Sequence, residues 1–484
     1  MLRYFPVFRV WSLFLLIFGS TMFVPMALSY LLDDGALPSF ASAIALTTGG
    51  GVVLWLATRD HHRDLTTRDG FLMISLVWAG LPAFAALPLL FYLPIDMADA
   101  YFEAVSGLTA SGATVLSGLD AMPPSINFWR TQMVWLGGMG LIVLAVAILP
   151  MLGIGGRQMF KSEVPGPMKD AKLTPRMGET AKGLWRIYVL ITLVCALAYA
   201  LAGMTPLDAV MHAFSTVALG GFSSHDASFA YWDSPLIEAI AIFFMLVSSI
   251  NYAAHFLALS GRSLRPYRRD PEARYVILVL AVSVVGIAAL LRYEEVYLSF
   301  VEALRYSAFN VVSVATTTGF ANIDYAQWPF FAPLWMLFLC SFVTSAGSTG
   351  GGIKMMRALI LYKQVYRELV RALHPTAVYP VKIGGMATPD AVLFAVLGYG
   401  FMYMVSITSM TLLLSFSGLD IVTAFSAVAA SINNTGPGLG QVGPAGNFGV
   451  LTAFQTSVCT FAMLLGRLEI FALLVVLTPA FWRK

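Results

Sequence analysis

The sequence predicts an all-α integral membrane protein with ten transmembrane helices and four shorter re-entrant helices, arranged as a four-fold repeat. Three observations predict this. The chain is 58% hydrophobic and only 11% charged, with a mean hydropathy of +0.78, whereas a soluble domain carries roughly a quarter charged residues. Apolar runs near the roughly 20 residues needed to cross a bilayer recur along the whole chain. Between the later runs, a half-apolar segment ending in glycine recurs four times in the same place.

The candidate spans lie near residues 5–32, 38–58, 70–94, 127–153, 184–203, 235–259, 274–293, 332–362, 388–414 and 449–481. The first is longer than a signal-peptide core and has no small-residue cleavage pattern after it, so it is read as a retained helix. Basic residues concentrate in alternate loops. These hold Arg59, Arg63 and Arg68; then Arg157, Lys161, Lys169, Lys172, Arg176 and Lys182; then Arg262, Arg265, Arg268, Arg269 and Arg274; then Lys354, Arg357, Lys363, Arg367, Arg371 and Lys382. The other loops carry Asp33, Asp34, Asp120, Asp226, Asp233, Glu294, Glu295 and Asp324. The positive-inside rule makes the basic loops and both termini cytoplasmic. A net charge of +3 gives no reason to expect a nucleic-acid partner. Cys195, Cys340 and Cys459 are far apart in apolar runs, which excludes a zinc spacing and a disulfide framework.

Aligned on glycine, the four recurring segments read Asp99-AYFEAVSGLTAS-Gly112, Asp208-AVMHAFSTVALG-Gly221, Tyr306-SAFNVVSVATTT-Gly319 and Asp420-IVTAFSAVAASINNT-Gly436. The fourth reads as longer than the others, and the third lacks the aspartate. They divide the chain into a peripheral pair (1–69) and four pore repeats (70–182, 183–273, 274–385 and 386–484). Irregular backbone at membrane depth is tolerated only where protein or a water-filled cavity receives its polar groups. A helix that ends halfway across turns its negative C-terminal dipole toward the membrane interior. Four such ends, followed by glycine-bearing extended backbone, would present carbonyl rings able to replace the hydration shell of a large monovalent cation.

The span–pore-loop–span plan, with its two extra N-terminal spans, resembles the Trk/Ktr/HKT superfamily, and within it the TrkH-type bacterial potassium-uptake proteins. The resemblance rests on Gly137-GMGLIVLAVAILP-Met151, Gly220-GFSSHDAS-Phe229, Ala346-GSTGGGIK-Met355, Asn433-NTGPGLG-Gln441 and Gly466-RLE-Ile470, all in order. It implies filter glycines at Gly112, Gly221, Gly319 and Gly436. Potassium-binding backbone would then come from Ala110, Ser111 and Gly112; Leu219, Gly220 and Gly221; Thr317, Thr318 and Gly319; and Asn434, Thr435 and Gly436. It further implies a homodimer with one pore per protomer, a TrkA-type cytoplasmic nucleotide-binding ring as partner, and a bacterial inner-membrane location. Potassium is the substrate, and no cofactor is expected on this chain.

Two gate elements are expected. Span 332–362 is interrupted by Ser345-AGSTGG-Gly352, where Gly347, Gly350, Gly351 and Gly352 would each cost a helix about 1 kcal/mol against Ala. This predicts a break, read either as a flexible loop beneath the filter or as a close packing point between helices. The family plan favours the gate loop. Arg467 lies near the middle of span 449–481, where a charge marks a pathway or a pair. It is read as a pore-facing barrier that holds the gate loop's carbonyls, the alternative being a structural arginine that caps helix carbonyls away from the pore. Glu469 is a poor partner, and Lys354 could join this cluster but is placed at the cytoplasmic interface. Glu103, His212, Glu238, Asn251 and Asn310 could relay protons in a symporter, though such groups more often bond helices together. His61, His62 and His374 are read as solvated. Segments 157–182 and 262–274 could dock the partner ring or bind anionic lipid. Gly438-LGQV-Gly443 and Gly347-STGGGI-Lys354 mimic nucleotide motifs in spelling only, and no catalytic set appears. A non-conducting sensor on the same fold stays open at this stage.

Overall fold

The computed structural model describes residues 4–61, 63, 65–147 and 177–483. Of the basic loop positions, Arg157, Lys161, Lys169, Lys172 and Arg176 lie outside the described residues. The chain is mostly helical. Its helices are α1 (Phe5–Thr21), α2 (Phe23–Leu32), α3 (Leu37–Thr58), α4 (Thr67–Ala85), α5 (Leu87–Tyr92), α6 (Met97–Leu108), α7 (Pro124–Ala147), α8 (Met177–Leu201), α9 (Pro206–Ala218), α10 (Pro235–Ser249), α11 (Tyr252–Ser260), α12 (Arg265–Arg269), α13 (Pro271–Tyr293), α14 (Phe300–Ala315), α15 (Phe331–Cys340), α16 (Met355–Leu373), α17 (Asp390–Phe416), α18 (Ile421–Asn433), α19 (Ala453–Arg467), α20 (Phe471–Leu477) and α21 (Pro479–Trp482). Between α16 and α17, β1 (Lys382–Ile383) and β2 (Met386–Ala387) form an antiparallel hairpin. Gly384 and Gly385 turn it, both at positive φ as a tight two-residue hairpin requires.

Local chemistry sets the helix starts. Thr66 and Asp69 form a capping box on α4, as do Thr452 and Gln455 on α19. Asp270 caps α13 by accepting from Glu272 N, with Pro271 in the first turn. One buried apolar cluster joins the N-terminal helices to α6, α7 and α17–α20, and a second spans α8 to α16. The four short helices α6, α9, α14 and α18 are among the most buried elements.

The helices match the expected spans unevenly. Among the described residues, six helical segments are long and apolar enough to cross a membrane: Phe5–Leu32, Leu37–Thr58, Arg68–Tyr92, Lys182–Leu201, Pro271–Tyr293 and Asp390–Phe416. Two more count only as broken pairs: α10 with α11, bent by 93°, and α19 with α20, bent by 115°. The expected span 332–362 is split into α15 and α16 by residues 341–354, a wider break than the glycine run alone predicts. The described part of span 127–153 ends at Ala147.

Candidate functional site

The four short helices end alike. Ala110, Leu219, Thr317 and Asn434 each take a left-handed conformation (φ 53°, 56°, 62° and 53°), two residues before Gly112, Gly221, Gly319 and Gly436. In each, the left-handed residue's N–H bonds back three residues, to Gly107, Thr216, Val314 and Ser431. The next N–H bonds back five, to the carbonyls of Ser106, Ser215, Ser313 and Ala430 at 2.8–3.0 Å. This paired closure is a Schellman motif, made here without glycine at its left-handed position. The conformation costs an L-residue roughly 1–2 kcal/mol, and it persists where the surroundings over-determine it.

Superposing the four closures corrects the repeat alignment. Asp99 and Asp208 sit in the first turns of α6 and α9, whereas Asp420 is the cap of α18, equivalent to Asp96 and Thr205. The fourth segment is therefore not longer. The third helix, α14, is the odd one, with 16 residues against 12, 13 and 13.

The glycines close a ring in chain order. A Cβ on Gly112 would lie 2.9 Å from Gly220 O, and one on Gly436 would lie 3.0 Å from Ser111 O. On Gly221 it would collide with Thr318 O, and on Gly319 with Thr435 O. Each repeat's glycine thus abuts the next repeat's backbone, and the fourth returns to the first. All four glycines also have positive φ. Ala110, Ser111, Leu219, Thr317, Thr318, Asn434 and Thr435 are buried around them.

Residues 341–354 pack against the C-terminal ends of α9, α14 and α18. Gly351 N donates to Thr317 Oγ1 (2.8 Å) and Thr349 Oγ1 to Val217 O (3.0 Å). Side chains at Gly350 and Gly351 would crowd Thr316 O and overlap Asn433 O. Farther along, Ser345 N bonds to Ser249 O (3.0 Å), and Gly347 O accepts from Tyr252 N (3.1 Å), at the break between α10 and α11. Thr344 Oγ1 closes the loop on Gly351 O at 2.7 Å. The glycines at 347, 350, 351 and 352 are thus required by close approach as well as by chain direction.

Arg467 is the last residue of α19, at the helix break rather than in mid-span. Glu469 and Ile470 follow at positive φ. Its guanidinium donates to Thr349 O (3.1 Å), Gly137 O (2.7 Å) and Gly138 O (3.4 Å) and lies over the Trp78 ring. It therefore ties the loop to α7. Glu469 pairs with Arg357 instead, at 2.7 Å. Lys354 is buried, not interfacial: it folds back so that its ammonium donates to Gly350 O. Sequence reasoning missed Glu272, whose Oε1 accepts from Ala346 N (3.1 Å) and Met356 N (2.8 Å) and so clamps both stems of the loop.

The polar residues singled out as proton relays are engaged in hydrogen bonds. Glu103 pairs with Arg130 (2.8 Å), Glu238 with Arg305 (2.8 Å), His212 with Ser223 and Asp208 O, and Asn310 with Asn322; Asn251 caps α11. At the glycine rim, His225 pairs with Asp120 and lies 3.5 Å from Asp208. Burial pulls the His225 pKa down, but the two carboxylates outweigh it and hold the value above the ordinary one. Burial likewise opposes the shift at Asp120, which hydrogen bonds from His225 and Asp226 N hold below its usual value. The three cysteines are buried and unpaired to one another.

A family described as cation transport protein, TrkH, matches residues 36–484. The chain is 47% identical to the Trk system potassium uptake protein TrkH of Escherichia coli (strain K12), covering 98% of this chain and 99% of that one. It is 45% identical to TrkH of Halomonas elongata over 99% of both, and 37% identical to TrkG of Escherichia coli over 99% of this chain and 97% of that one. The crystal structure of the potassium transporter TrkH from Vibrio parahaemolyticus superposes with a TM-score of 0.89 at 44% identity, over 99% of both chains. These relatives are transporters rather than enzymes. With the family match running from the third helix to the end and the relatives spanning almost the whole length, this chain belongs to the TrkH family of multi-pass cation transport proteins.

Proposed function

We propose that this protein takes up potassium across a bacterial inner membrane, through a selectivity filter made of the four glycine turns and gated by residues 345–352 with Arg467. The carrying observation is the ring itself: four equivalent turns, each glycine against the next repeat's backbone, closing from Gly436 onto Ser111. In this reading the backbone of residues 110–112, 219–221, 317–319 and 434–436 coordinates the dehydrated ion. The C-terminal dipoles of α6, α9, α14 and α18, as re-entrant pore helices, add negative potential beneath it. The repeats are then 70–182, 183–273, 274–385 and 386–484, with 1–69 peripheral. Of the ten proposed crossings, several are bent or broken at the level of the loop.

Loop and arginine form the barrier. The loop lies against the ends of three pore helices, and Arg467 adds a positive charge and a tether. The end of the molecule bearing Arg265, Arg268, Arg269, Lys363 and Arg367 is cytoplasmic, with both termini there. The relatives' names place them in a Trk system, which supports a TrkA-type ring on that face. A homodimer and contacts with anionic lipid complete the assembly. The engagement of Glu103, His212, Glu238 and Asn310 in hydrogen bonds favours a gated channel over proton-coupled symport.

The test is potassium and sodium flux in proteoliposomes holding this chain alone, under matched and opposed pH gradients. Potassium-selective flux indifferent to the pH gradient is expected. Flux that requires the proton gradient would overturn the channel reading, and failure to restore growth of uptake-deficient cells on limiting potassium would overturn uptake.

A further inference from the structure

Behind the glycine ring, each repeat ties its short helix to the strand that leaves the glycine. In the first three repeats the tie comes from the residue nine positions before the glycine: Glu103, His212 and Asn310. Glu103 accepts from Thr114 Oγ1 (3.0 Å) and Val115 N (3.1 Å). His212 Nε2 meets Ser223 Oγ at 2.9 Å. Because His212 Nδ1 faces the Asp208 carbonyl (2.9 Å), the neutral ring carries its proton on Nδ1 and accepts from Ser223. Asn310 Nδ2 donates to Asn322 Oδ1 (2.6 Å). In the fourth repeat, Ser426 both accepts from Leu439 N (2.8 Å) and donates to Leu439 O (3.1 Å). One structural task is met by four chemistries: carboxylate, imidazole, amide and hydroxyl.

The first tie differs in reaching a second repeat. Arg130, on α7, is fully buried, as is Glu103. Its Nε donates to Glu103 Oε1 (2.8 Å) and its Nη2 to Thr114 Oγ1 (3.2 Å). Its Nη1 donates to Asn127 Oδ1 (3.2 Å) and across to Ser223 O (3.1 Å) in the second repeat. The guanidinium also lies 4.4 Å from the centroid of the Phe222 ring, directly after Gly221. A buried ion pair is a poor device for stability alone, since well-packed apolar residues of similar volume do as well or better. A planar fork of fixed geometry, by contrast, sets distances between the groups it bridges.

We propose that the Glu103–Arg130 pair is a selectivity strut: a positioning unit that fixes the spacing between the first and second filter segments by joining Thr114 and Val115 to Phe222 and Ser223. The proposal rests on reading the glycine ring as the filter. A strut that sets the width of the carbonyl ring controls which ion size the ring fits, while leaving the gate untouched.

The experiment compares potassium and sodium flux ratios for the full-length chain in proteoliposomes. Glu103→Gln with Arg130→Gln removes both charges together, so neither is left buried alone, and keeps an acceptor for Thr114. We expect the potassium-to-sodium ratio to fall by roughly 2- to 30-fold, the range for coupling through packed networks, with the chain still inserted and carrying current. Arg130→Lys retains the ion pair but not the fork to Ser223, so it should also lower the ratio, and it gives the same reading should the double variant fail to insert. An unchanged ratio in either inserted, conducting variant overturns the strut. Gly112→Ser separates the two readings. If it shifts the ratio and the strut variants do not, only the strut fails; if it leaves the ratio unchanged, the filter reading fails first.

Discussion

Replacing Arg467 with alanine tests the barrier most directly. Of its hydrogen bonds, the one to Thr349 O (3.1 Å) belongs to the loop, and those to Gly137 O and Gly138 O anchor the guanidinium on α7. A hydrogen bond made by a charged group contributes about 1.5–3 kcal/mol. The anchor bonds are lost in both gate states, so the closed state loses chiefly the bond to the loop. That shifts the closed-to-open equilibrium by roughly 10- to 150-fold toward open. In the proposed pore, removal of a positive charge beneath the filter acts in the same direction on a cation. The assay is initial potassium uptake into proteoliposomes at matched protein density, with thermal unfolding run alongside to establish that the variant is folded. Flux of the Ala variant should exceed that of the parent until opening saturates, and Arg467→Lys, with charge but no fork, should fall between. A folded Ala variant whose flux equals or falls below the parent's would refute the barrier.

Three further outcomes follow from the same geometry. Gly112→Ser places a side chain against Gly220 O and Gly221 Cα at a positive-φ position, so the first two filter segments must separate. Sodium flux should rise relative to potassium, read as the flux ratio. Glu272→Leu removes an acceptor from both loop stems, at about 1.5–3 kcal/mol per bond, and should raise flux and hydrogen exchange over residues 344–356. Glu272→Gln keeps the accepting oxygen and should change little; equal effects of Leu and Gln would refute the clamp. The rim pair depends on pH with a definite sign. His225, held above its ordinary value, stabilises the rim below about pH 6.5, and that contribution is lost as pH rises through its folded value. Asp120, held low, contributes above its ordinary value and loses that contribution as pH falls through its folded one. Hydrogen exchange of residues 118–121 and 223–226, corrected for intrinsic rates, should therefore slow to a minimum in mildly acid to neutral solution and quicken as pH rises through the folded value of His225. Protection that is flat across this window would refute the pair.

How far the sequence could be read depended on whether a feature was local. The four glycine turns were legible because small residues, a helix-compatible run and a glycine recur within some fifteen positions. The fourth segment reads as longer because Asp420 is matched with Asp208, yet it does a different job at the helix cap. The break after Cys340 was legible from the glycines, but its extent to Lys354 was not, because a buried lysine turned back on Gly350 has no local signal. The bend after Arg467 was invisible for a similar reason. Ile470 at positive φ violates local preference, and only packing selects it. Glu272 and Arg130 were passed over since each stands near the start of an apolar run, where a charge normally reaches the interface. Their partners, Ala346 and Glu103, are distant in sequence. One signal was available for Arg130, namely the carboxylate of Glu103 in the neighbouring half-apolar segment.

The two halves of the site are held by different kinds of contact, and that difference carries a functional consequence. The glycine turns are fixed by paired backbone closures, by side chains buried behind them and by mutual contact around the ring, so moving one strand disturbs its neighbours. The loop is held by single hydrogen bonds to Val217, Ser249, Tyr252 and Thr317 and by two side chains from outside it, Arg467 and Glu272, over a stretch rich in glycine. In the proposed gating, the loop leaves while the ring keeps its shape. On the proposed repeat division, one loop can serve a four-fold arrangement: bonded to Val217 of the second repeat and tethered through Arg467 of the fourth to Gly137 of the first, it engages the other three repeats from its seat in the third. In such a division, changes to Arg467 or Glu272 alter how much ion passes but not which ion. Changes to Gly112 or to the Glu103–Arg130 pair alter which ion passes, and a gate substitution that shifted the potassium-to-sodium ratio would show the two halves to be one mechanical unit.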